Sequence, residues 1–304
     1  MQTTTLEIFR EELLKNGTYA TPPERKAAKR RKQGWWTTVS FTWGPFSVFP
    51  KCAIYEALGI LDTDKWAHFC FRSVQTAEKF GMNVLLDGWK NREEYDGPVV
   101  YLSNHMSTLE TILLPPILLT YSPFNVVVKA SLSHLPFLEK AADHMGLVPI
   151  GRKSPREDLM TIFREGCERI GKGNSFLIFP QGSREKVFAR KGFSSIGAKL
   201  AEKAGVPVVP VAVKTDCEPT RPDGKGWFKD FGTVDPSQDI YVSCGPVIKG
   251  SAREMHAASF DWIKSRLDSW GLPTDDGQSP SALERPGGEK PHEIKIPVSD
   301  KSKA

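Results

Sequence analysis

The sequence predicts an α/β protein in which a layered, mostly parallel sheet is flanked by helices. Short apolar runs alternate along the chain with longer stretches in which apolar residues recur every three or four positions. Residues 175–179 form the most apolar of these runs, as expected of a strand that is covered on both faces of a parallel sheet. This alternation of strand and helix patterns is typical of an α/β layer fold.

The individual elements follow from the apolar spacing in chain order. Gly and Asn end the helix predictions, and a turn at residues 96–98 introduces the second strand. Prolines at 115 and 116 are expected to kink one helix. Helices are expected over residues 6–14, 64–80, 109–119, 159–170, 194–203 and 255–270. Strands are expected over residues 84–86, 99–102, 125–128, 148–150, 175–179, 206–213 and 240–244.

Length and composition describe an ordinary globular chain. It has 304 residues, of which 25% are charged and 39% hydrophobic, and a net charge of +5, which excludes collagen-like, disulfide-stapled and wholly disordered classes. The longest apolar run, residues 112–119, is short and contains two prolines, whereas a membrane-spanning helix needs about 20 apolar residues. Residues 1–14 have no apolar core, so we expect no signal peptide.

The cysteines give no sign of a metal or redox site. None of the five is close enough to another to form the spacing of a zinc or thioredoxin-type motif. We therefore expect reduced thiols in a cytosolic compartment, most of them small core residues. They are Cys52, Cys70, Cys167, Cys217 and Cys244.

Composition divides the chain into three parts. Residues 1–63 contain a basic run that is followed at once by Trp and Phe, a composition typical of a segment resting on an anionic bilayer. A solvated helix face with aromatic residues in the core explains the same pattern, and nucleic-acid binding is not expected because no such motif follows. Residues 64–272 carry the strand and helix patterns. Residues 273–304 are rich in Gly, Pro, Ser and charge and are expected to be disordered.

Three histidines are followed five residues later by a carboxylic acid, and only one of them has a suggestive context. About 0.7 such pairs are expected by chance, so the spacing alone is no evidence of catalysis. His105 follows a predicted strand at the edge where α/β sheets place ligands. It can meet Glu110 only if His105 lies on the loop and Glu110 in the first helical turn. Because Ser107 and Glu110 also fit a capping box, a structural role for Glu110 is equally open. The pairs are His105/Glu110, His134/Glu139 and His256/Asp261.

Basic residues recur at the ends of predicted strands. Lys129 and Arg152 each follow one strand, Arg184 follows the Pro-Gly turn at residues 179–183, and Lys191 lies downstream. The planar guanidinium group suits phosphate, so the sequence favours an anion site at this edge of the sheet. Pairing of each arginine with a nearby acid is the structural alternative. Motifs of serine hydrolases, of nucleotide-binding loops and of zinc sites are absent from the sequence.

Four ordered sequence blocks carry a resemblance to a known family. Over about residues 70–250 the chain resembles the glycerolipid acyltransferases of the lysophosphatidic acid acyltransferase type. The resemblance implies the fold of that family and an enzyme of phospholipid biosynthesis. The blocks are Asn104-His105 with Glu110 (NHx4D), residues 146–152 (GxxFIxR), residues 179–184 (FPEGTR) and residues 205–212 (VPIVPVA).

The resemblance implies direct acyl transfer from a thioester to a lipid hydroxyl. His105 would be the general base and Glu110 would orient its imidazole, with no acyl-enzyme intermediate, metal or cofactor. The donor would be acyl-CoA or acyl carrier protein, and the acceptor a lysophospholipid, above all 1-acylglycerol-3-phosphate. The residues implied to hold the acceptor phosphate are Arg152, Arg184 and Lys129. The turn residues implied to lie at the acceptor and the oxyanion are Gln181, Gly182 and Ser183.

Two departures from the family pattern keep alternatives open. Glu110 stands where the family usually has Asp, and Gln181 stands where it usually has Glu. The alternatives are a transferase that acts on a different lipid hydroxyl, a degenerate member that binds lipids without turnover, and a thioesterase that uses water as acceptor. Because the family acts on lipids, the resemblance also favours residues 25–49 as a peripheral contact with the cytoplasmic face of a membrane.

Overall fold

Strands and helices alternate along the chain. A computed structural model describes residues 5–23, 30–130, 141–142, 144–151, 154–218 and 232–277. The strands are β1 (Tyr19–Ala20), β2 (Val84–Asp87), β3 (Val100–Ser103), β4 (Phe124–Lys129), β5 (Leu147–Ile150), β6 (Ser175–Ile178), β7 (Phe188–Ala189), β8 (Val208–Lys214), β9 (Ile240–Cys244) and β10 (Thr274–Asp275). The α-helices are α1 (Leu6–Asn16), α2 (Trp35–Phe46), α3 (Val48–Ala57), α4 (Thr63–Lys79), α5 (Glu110–Leu118), α6 (Pro155–Gly171), α7 (Ile196–Ala204) and α8 (Ala252–Ser269), and Trp89–Glu94 form a 3-10 helix.

The main sheet is mixed and has eight strands in the order β1-β2-β9-β8-β3-β6-β4-β5. Strands β8, β3, β6, β4 and β5 run parallel to one another, whereas β9 pairs with β8 in the antiparallel sense. A second, two-stranded sheet joins β7 to β10. The predicted α/β layer with a mostly parallel sheet is confirmed, and β8, β3 and β6 lie side by side near its centre.

Side chains from the two faces of the sheet pack under different helices. On β3, Tyr101 packs with the apolar residues of α1, α4 and α5, whereas Val100 and Leu102 pack with those of α6, α7 and α8. This alternation follows from the two-residue period of a strand. This alternation sets the orientation of the last residues of β3, from which the loop with His105 continues. Four of the cysteines are buried in the core and the fifth, Cys167, is half-buried, and all five are free thiols.

Helix starts differ from the predictions where a cap lies outside the apolar pattern. Ser154 accepts a hydrogen bond from Glu157 N, and Pro155 occupies the first position of α6, so this helix begins four residues before the predicted start at 159. Ser251 and Glu254 form a reciprocal capping box that starts α8 three residues early. The predicted starts marked the first apolar contact rather than the first hydrogen-bonded turn.

The two ends of the described chain belong to the fold. Phe9 and Leu13 of α1 are fully buried, and Tyr19 of β1 pairs with β2 in the main sheet. The membrane role predicted for residues 1–63 stays a prediction, because the packing of these residues does not test contact with a membrane. At the other end, β10 falls inside the predicted tail and pairs with β7, so the ordered chain extends past residue 272. Residues 278–304 lie outside the described residues.

The aromatic residues of α2 divide between the core and the surface. Phe41 is fully buried, whereas Trp35, Trp36 and Trp43 are 66%, 73% and 74% exposed. Trp35, Val39 and Trp43 are spaced four residues apart and therefore lie on one face of the helix. Phe41 therefore fits the interpretation in which aromatic residues pack in the core, whereas the membrane interpretation of the exposed tryptophans stays a prediction. Within the part of the chain that the structure describes, no helix has the length and apolar character required to cross a bilayer.

Candidate active site

Parallel strands bring the predicted site residues to one edge of the sheet. His105 follows β3, the turn at residues 179–184 follows β6, and Thr215 follows β8. Because these three strands are parallel neighbours, their carboxyl ends lie at the same edge, which is where open α/β sheets place ligands. The sequence predicted this edge for His105 and for the turn after β6.

Asn104 joins the end of β3 to β8. Its amide nitrogen Nδ2 donates to the carbonyl of Val213 at 2.9 Å, and the N–H of Val213 donates to Oδ1 of Asn104 at 2.8 Å. The side chain therefore takes the place of a backbone partner where the strand has ended. This pairing fixes the start of the loop that carries His105.

Glu110 lies at the start of α5 and is fully buried at the base of the site. Its Oε1 accepts hydrogen bonds from the backbone N–H of Met106 at 2.6 Å and of Ser107 at 2.9 Å. Its Oε2 accepts from Ser107 Oγ at 2.5 Å and from Thr215 Oγ1 at 2.7 Å. The carboxylate thus organises the loop between β3 and α5 and ties it to the residue after β8.

These partners keep Glu110 ionised. Burial acts to raise the pKa of this carboxyl, but the hydrogen bond and positive charge of His105, together with the hydroxyls of Ser107 and Thr215, outweigh it and lower the pKa below its ordinary value. A buried carboxylate that accepts several hydrogen bonds is a fixed negative charge in a low-dielectric site. It can therefore stabilise a cation that forms beside it.

His105 is held in one orientation over Glu110. Its Nδ1 lies 2.9 Å from Glu110 Oε1, and its ring stacks on Phe179 with centroids 4.3 Å apart. Its backbone N–H donates to Gln181 Oε1 at 2.9 Å, and its carbonyl accepts from Glu185 N at 2.9 Å. Because an ionised carboxylate can only accept, Nδ1 carries the proton, and in the neutral ring Nε2 has the lone pair. His105 and Glu110 meet as the sequence required, with His105 on the loop and Glu110 in the first turn.

The capping alternative for Glu110 is partly correct. Ser107 N donates to Glu110 as in a capping box, but Ser107 Oγ accepts from the N–H of Leu109 at 3.1 Å, and Leu109 precedes the helix as its N-cap. The same carboxylate that closes this turn also contacts His105. The structural role is therefore present together with the contact to His105, and the catalytic role of Glu110 stays a prediction.

The turn after β6 places its polar residues beside His105. Gly182 has a left-handed backbone with φ of +68°, which suits glycine, and its N–H donates to the Phe179 carbonyl at 2.9 Å. Ser183 Oγ donates to Glu185 Oε1 at 2.9 Å, so both residues lie in a closed turn. Gln181 contacts the His105 loop through its side-chain oxygen. The oxyanion role predicted for this turn stays a prediction.

Two of the predicted cations, Arg184 and Lys129, lie at the same edge. Arg184 donates to Thr108 Oγ1, which places its guanidinium beside the start of α5. Lys129 is exposed at the end of β4, the neighbour of β6 in the sheet. Arg152 lies outside the described residues. Lys191 is exposed downstream of the turn.

Two residues after β8 were not predicted from the sequence. Thr215 donates to Glu110, and its own N–H contacts Met106 Sδ at 3.2 Å. Glu218 is buried three residues further on. A polar residue directly after an apolar strand on the predicted edge was a signal for Thr215. For Glu218 no local pattern exists, because its burial depends on elements distant in the sequence.

The chain is similar to known acyltransferases. Residues 83–214, which include His105, Glu110 and the turn after β6, match the family model described as Acyltransferase. Curated relatives carry the names of O-acyltransferases. The fold agrees, since the chain superimposes on the PlsC acyltransferase of Thermotoga maritima with a TM-score of 0.54 at 18% identity, over 78% of this chain and 95% of that one.

Two relatives share a more specific name. The chain is 29% identical over 235 residues to the 1-acyl-sn-glycerol-3-phosphate acyltransferase of Pseudomonas aeruginosa, covering 77% of this chain and 82% of that protein. It is 33% identical over 181 residues to the chloroplastic 1-acyl-sn-glycerol-3-phosphate acyltransferase of Brassica napus. That alignment covers 59% of this chain and about half, 51%, of the plant protein.

Proposed function

We propose that this chain transfers a fatty acyl group from an acyl thioester to the free hydroxyl of 1-acylglycerol-3-phosphate. The 2.9 Å contact between His105 Nδ1 and the buried carboxylate of Glu110 carries the proposal, because it orients a base at the ligand-binding edge of the sheet. The names of the Pseudomonas and Brassica relatives support this acceptor. The donor is acyl-CoA or acyl carrier protein.

In the proposed reaction His105 acts as the general base. Its Nε2 takes the proton of the acceptor hydroxyl while the hydroxyl oxygen attacks the carbonyl carbon of the thioester. The new C–O bond moves negative charge onto the carbonyl oxygen. When this intermediate collapses, the C–S bond breaks and the leaving thiolate takes the proton from the imidazolium. The products are an ester and a free thiol, and no acyl-enzyme forms.

Neighbouring charges fit the demands of this reaction. Glu110 stabilises the imidazolium, as the carboxylate of a catalytic triad does, without a serine nucleophile. We assign the acceptor phosphate to Arg184, with Arg152 and Lys129 assisting, because a guanidinium can hold two phosphate oxygens at once. We assign stabilisation of the oxyanion to the turn formed by Gln181, Gly182 and Ser183.

Gln181 supports a second candidate within the same reaction class. Its Oε1 accepts from the backbone N–H of His105, a contact that a glutamate could also make, so the amide removes a negative charge without removing this hydrogen bond. Because this departure lies in the turn that we assign to the acceptor, the second candidate is a transferase with another lysophospholipid, or another lipid hydroxyl, as acceptor. A domain that binds acyl chains without turnover is the remaining alternative.

Lipid products distinguish these candidates. Purified protein is incubated with an acyl thioester and, in separate reactions, with 1-acylglycerol-3-phosphate, with a zwitterionic lysophospholipid or with no acceptor, and the products are identified by mass spectrometry. We expect diacylglycerol 3-phosphate and one equivalent of free thiol in the first reaction. A diacyl product only in the second supports the alternative acceptor. Free thiol without any acylated lipid contradicts acyl transfer, and no change in any reaction supports binding without turnover.

We also propose that the exposed face of α2, defined here as Trp35, Trp36, Val39 and Trp43, docks on the anionic cytoplasmic face of a membrane. Indole rings favour the interface between headgroups and acyl chains, so three exposed tryptophans on one helix suit this position. Exposed apolar residues continue on and after α3. They are Ile54, Leu58 and Ile60.

Two residues of the basic run before α2 contact the folded chain instead of extending this surface. Arg30 pairs with Asp239 at 2.6 Å, and the guanidinium of Arg31 lies 4.4 Å from the ring centroid of Phe80. These two residues therefore contact the folded chain. Lys32 is exposed next to α2, where it can contact anionic headgroups. Residues 24–29 lie outside the described residues.

A further inference from the structure

Glu218 is a buried carboxyl group beside the candidate site. Its side chain is only 2% exposed, and neither carboxyl oxygen has a hydrogen-bond partner among the residues that the structure describes. Its backbone N–H donates to the carbonyl of Thr215 at 3.1 Å, in the turn that follows β8. Buried polar atoms are nearly always paired, so an unpaired carboxyl at this position requires an explanation.

Charged groups from two other elements act electrostatically on this carboxyl. Glu110 at the start of α5 contributes a negative charge, Arg184 from the turn after β6 contributes a positive charge, and Cys217 is its neighbour in the chain. The backbone N–H of Leu109 lies close enough to act on the pKa of Glu218, but it donates to a hydroxyl in the preceding loop. Cys217 stays neutral, because burial raises its pKa well above the ordinary value.

The surroundings keep Glu218 protonated at neutral pH. Burial and the adjacent negative charge of Glu110 raise its pKa to about 8, against a smaller opposing effect of Arg184. Glu110 and Glu218 therefore differ in charge although both are buried at the same edge. Two carboxyls whose environments separate their pKa values in this way are typical of sites where each has a different role.

We propose that Glu218 is a positioning residue for the anionic acceptor, acting through Arg184. As a neutral acid it lets the positive charge of Arg184 act on the acceptor phosphate. As a carboxylate it competes for the same guanidinium and repels the phosphate, so the affinity for anionic acceptors falls. This inference rests on the proposed function, since it assigns the phosphate to Arg184.

The energetic cost of Glu218 supports a role beyond packing. A carboxyl whose folded pKa is raised destabilises the fold increasingly as pH rises from its ordinary value of 4.5 toward its folded value of about 8. Among the described residues no hydrogen bond offsets this cost. A glutamine of the same shape avoids it, because an amide does not ionise.

Steady-state kinetics at several pH values test the proposal. KM for 1-acylglycerol-3-phosphate and kcat are measured from about pH 7 to about pH 9 for the wild type, Glu218→Gln and the control Glu11→Gln, which removes an exposed carboxylate on α1. The phosphate itself titrates near pH 6, so it does not change charge in this range. We expect KM of the wild type and of the control to rise at least about threefold above pH 8, whereas KM of Glu218→Gln should stay constant. Near pH 7 the three proteins should have the same kcat.

Two further measurements keep the proposal falsifiable if Glu218→Gln folds poorly. With a monoacylglycerol acceptor, which has no phosphate, KM of the wild type is expected to stay constant through pH 8. By thermal unfolding, Glu218→Gln is expected to exceed the wild type in Tm by more at pH 8 than at pH 5.

The contradicting results are specific. The proposal is overturned if the wild-type KM for the phosphate acceptor does not change with pH, or if KM of Glu218→Gln rises as much as that of the wild type. It is also overturned if KM for the neutral acceptor rises similarly, or if the Tm difference between the two proteins does not depend on pH. Absence of acyl transfer by the wild type at every pH instead contradicts the proposed function, and this inference with it.

Discussion

The carboxylate of Glu110 links the chemistry of the proposed site to the stability of the fold. It accepts hydrogen bonds from the loop that carries His105 and from Thr215 after β8. Because its pKa in the folded chain lies below the ordinary value of 4.5, Glu110 stabilises the fold above that pH. This contribution is lost as pH falls below 4.5 through the folded pKa.

Glu110→Gln is expected to reduce both activity and stability. The amide keeps only one acceptor oxygen, so either the backbone N–H groups at the Oε1 position or the hydroxyl groups at the Oε2 position lose their acceptor, and the charge that stabilises the His105 cation is removed. We expect kcat to fall about 10²- to 10⁴-fold and the free energy of unfolding to fall by about 3 kcal/mol at neutral pH. Steady-state kinetics and denaturant unfolding measure these changes.

The loss of stability in Glu110→Gln is also expected to depend on pH. The difference in unfolding free energy between the wild type and Glu110→Gln should become smaller as pH falls below 4.5, where the wild-type carboxylate becomes protonated. The exposed residue Glu11 provides the control Glu11→Gln, which should change neither quantity. Wild-type kcat in Glu110→Gln would show that the charge of this carboxyl is not used in the reaction.

Thr215 is expected to act through its hydroxyl group. Thr215→Val keeps the shape of the side chain but removes the O–H that donates to Glu110 at 2.7 Å, which leaves a buried acceptor with one partner fewer. We expect a loss of about 1–3 kcal/mol in unfolding free energy and a lower kcat. Thr215→Ser retains the donor and should stay near the wild type. Equal behaviour of the two variants would contradict the role of the hydroxyl.

At the residue scale, the sequence could predict contacts within one loop but not contacts between distant strands. His105 and Glu110 are five residues apart, so their geometry follows from the strand-loop-helix pattern around them. The contact of Thr215 with Glu110 joins residues 105 positions apart and depends on the order of β3 and β8 in the sheet. The apolar patterns predicted both strands without predicting that they are neighbours.

At the scale of elements, α7 packs closely on the strands that lead to the site. A Cβ on Gly197 of α7 would lie 2.3 Å from Leu102 Cδ2 of β3 and 3.5 Å from Ile178 Cδ1 of β6. Leu102 is fully buried and has little room to move. The absence of a side chain at Gly197 therefore determines how close this helix lies to the centre of the sheet.

Gly197→Ala is expected to destabilise the fold by about 1–3 kcal/mol through overpacking. Gly171 provides a matched control, since it is also helical and a Cβ there would meet no atom within 4 Å. Gly171→Ala is expected to stabilise the fold by about 0.4–1 kcal/mol through the entropy of the unfolded chain. Denaturant unfolding of both variants measures the difference, and equal effects would contradict the close packing at Gly197.

The elements with clear apolar patterns were predictable, whereas the helices α2 and α3 and the shortest strands were not. The predicted strands over residues 175–179 and 240–244 agree with β6 and β9 to within one residue. The two-residue strands β1, β7 and β10 are too short to show a period, and they form only because a partner strand is already in place. The antiparallel pairing of β8 with β9 likewise depends on the tertiary path of the chain.

At the scale of the whole molecule, the exposed face of α2 is expected to determine membrane binding. The triple variant Trp35→Ser, Trp36→Ser and Trp43→Ser should lose most binding to anionic vesicles in a flotation experiment and keep its Tm, since these side chains are largely exposed. Met160→Ser is the control, because Met160 is 61% exposed on α6, which covers the other face of the sheet. Undiminished flotation of the triple variant would contradict the docking proposal.

The most direct test of the proposed function compares acyl transfer by the wild type, His105→Ala and His68→Ala. His68 is an exposed histidine on α4 and serves as the control. The measurement is the rate of diacylglycerol 3-phosphate formation from an acyl thioester and 1-acylglycerol-3-phosphate, with folding of each variant checked by thermal unfolding. We expect equal rates for the wild type and His68→Ala and a rate at least about 10²-fold lower for folded His105→Ala. Equal rates in all three proteins would contradict general-base catalysis by His105.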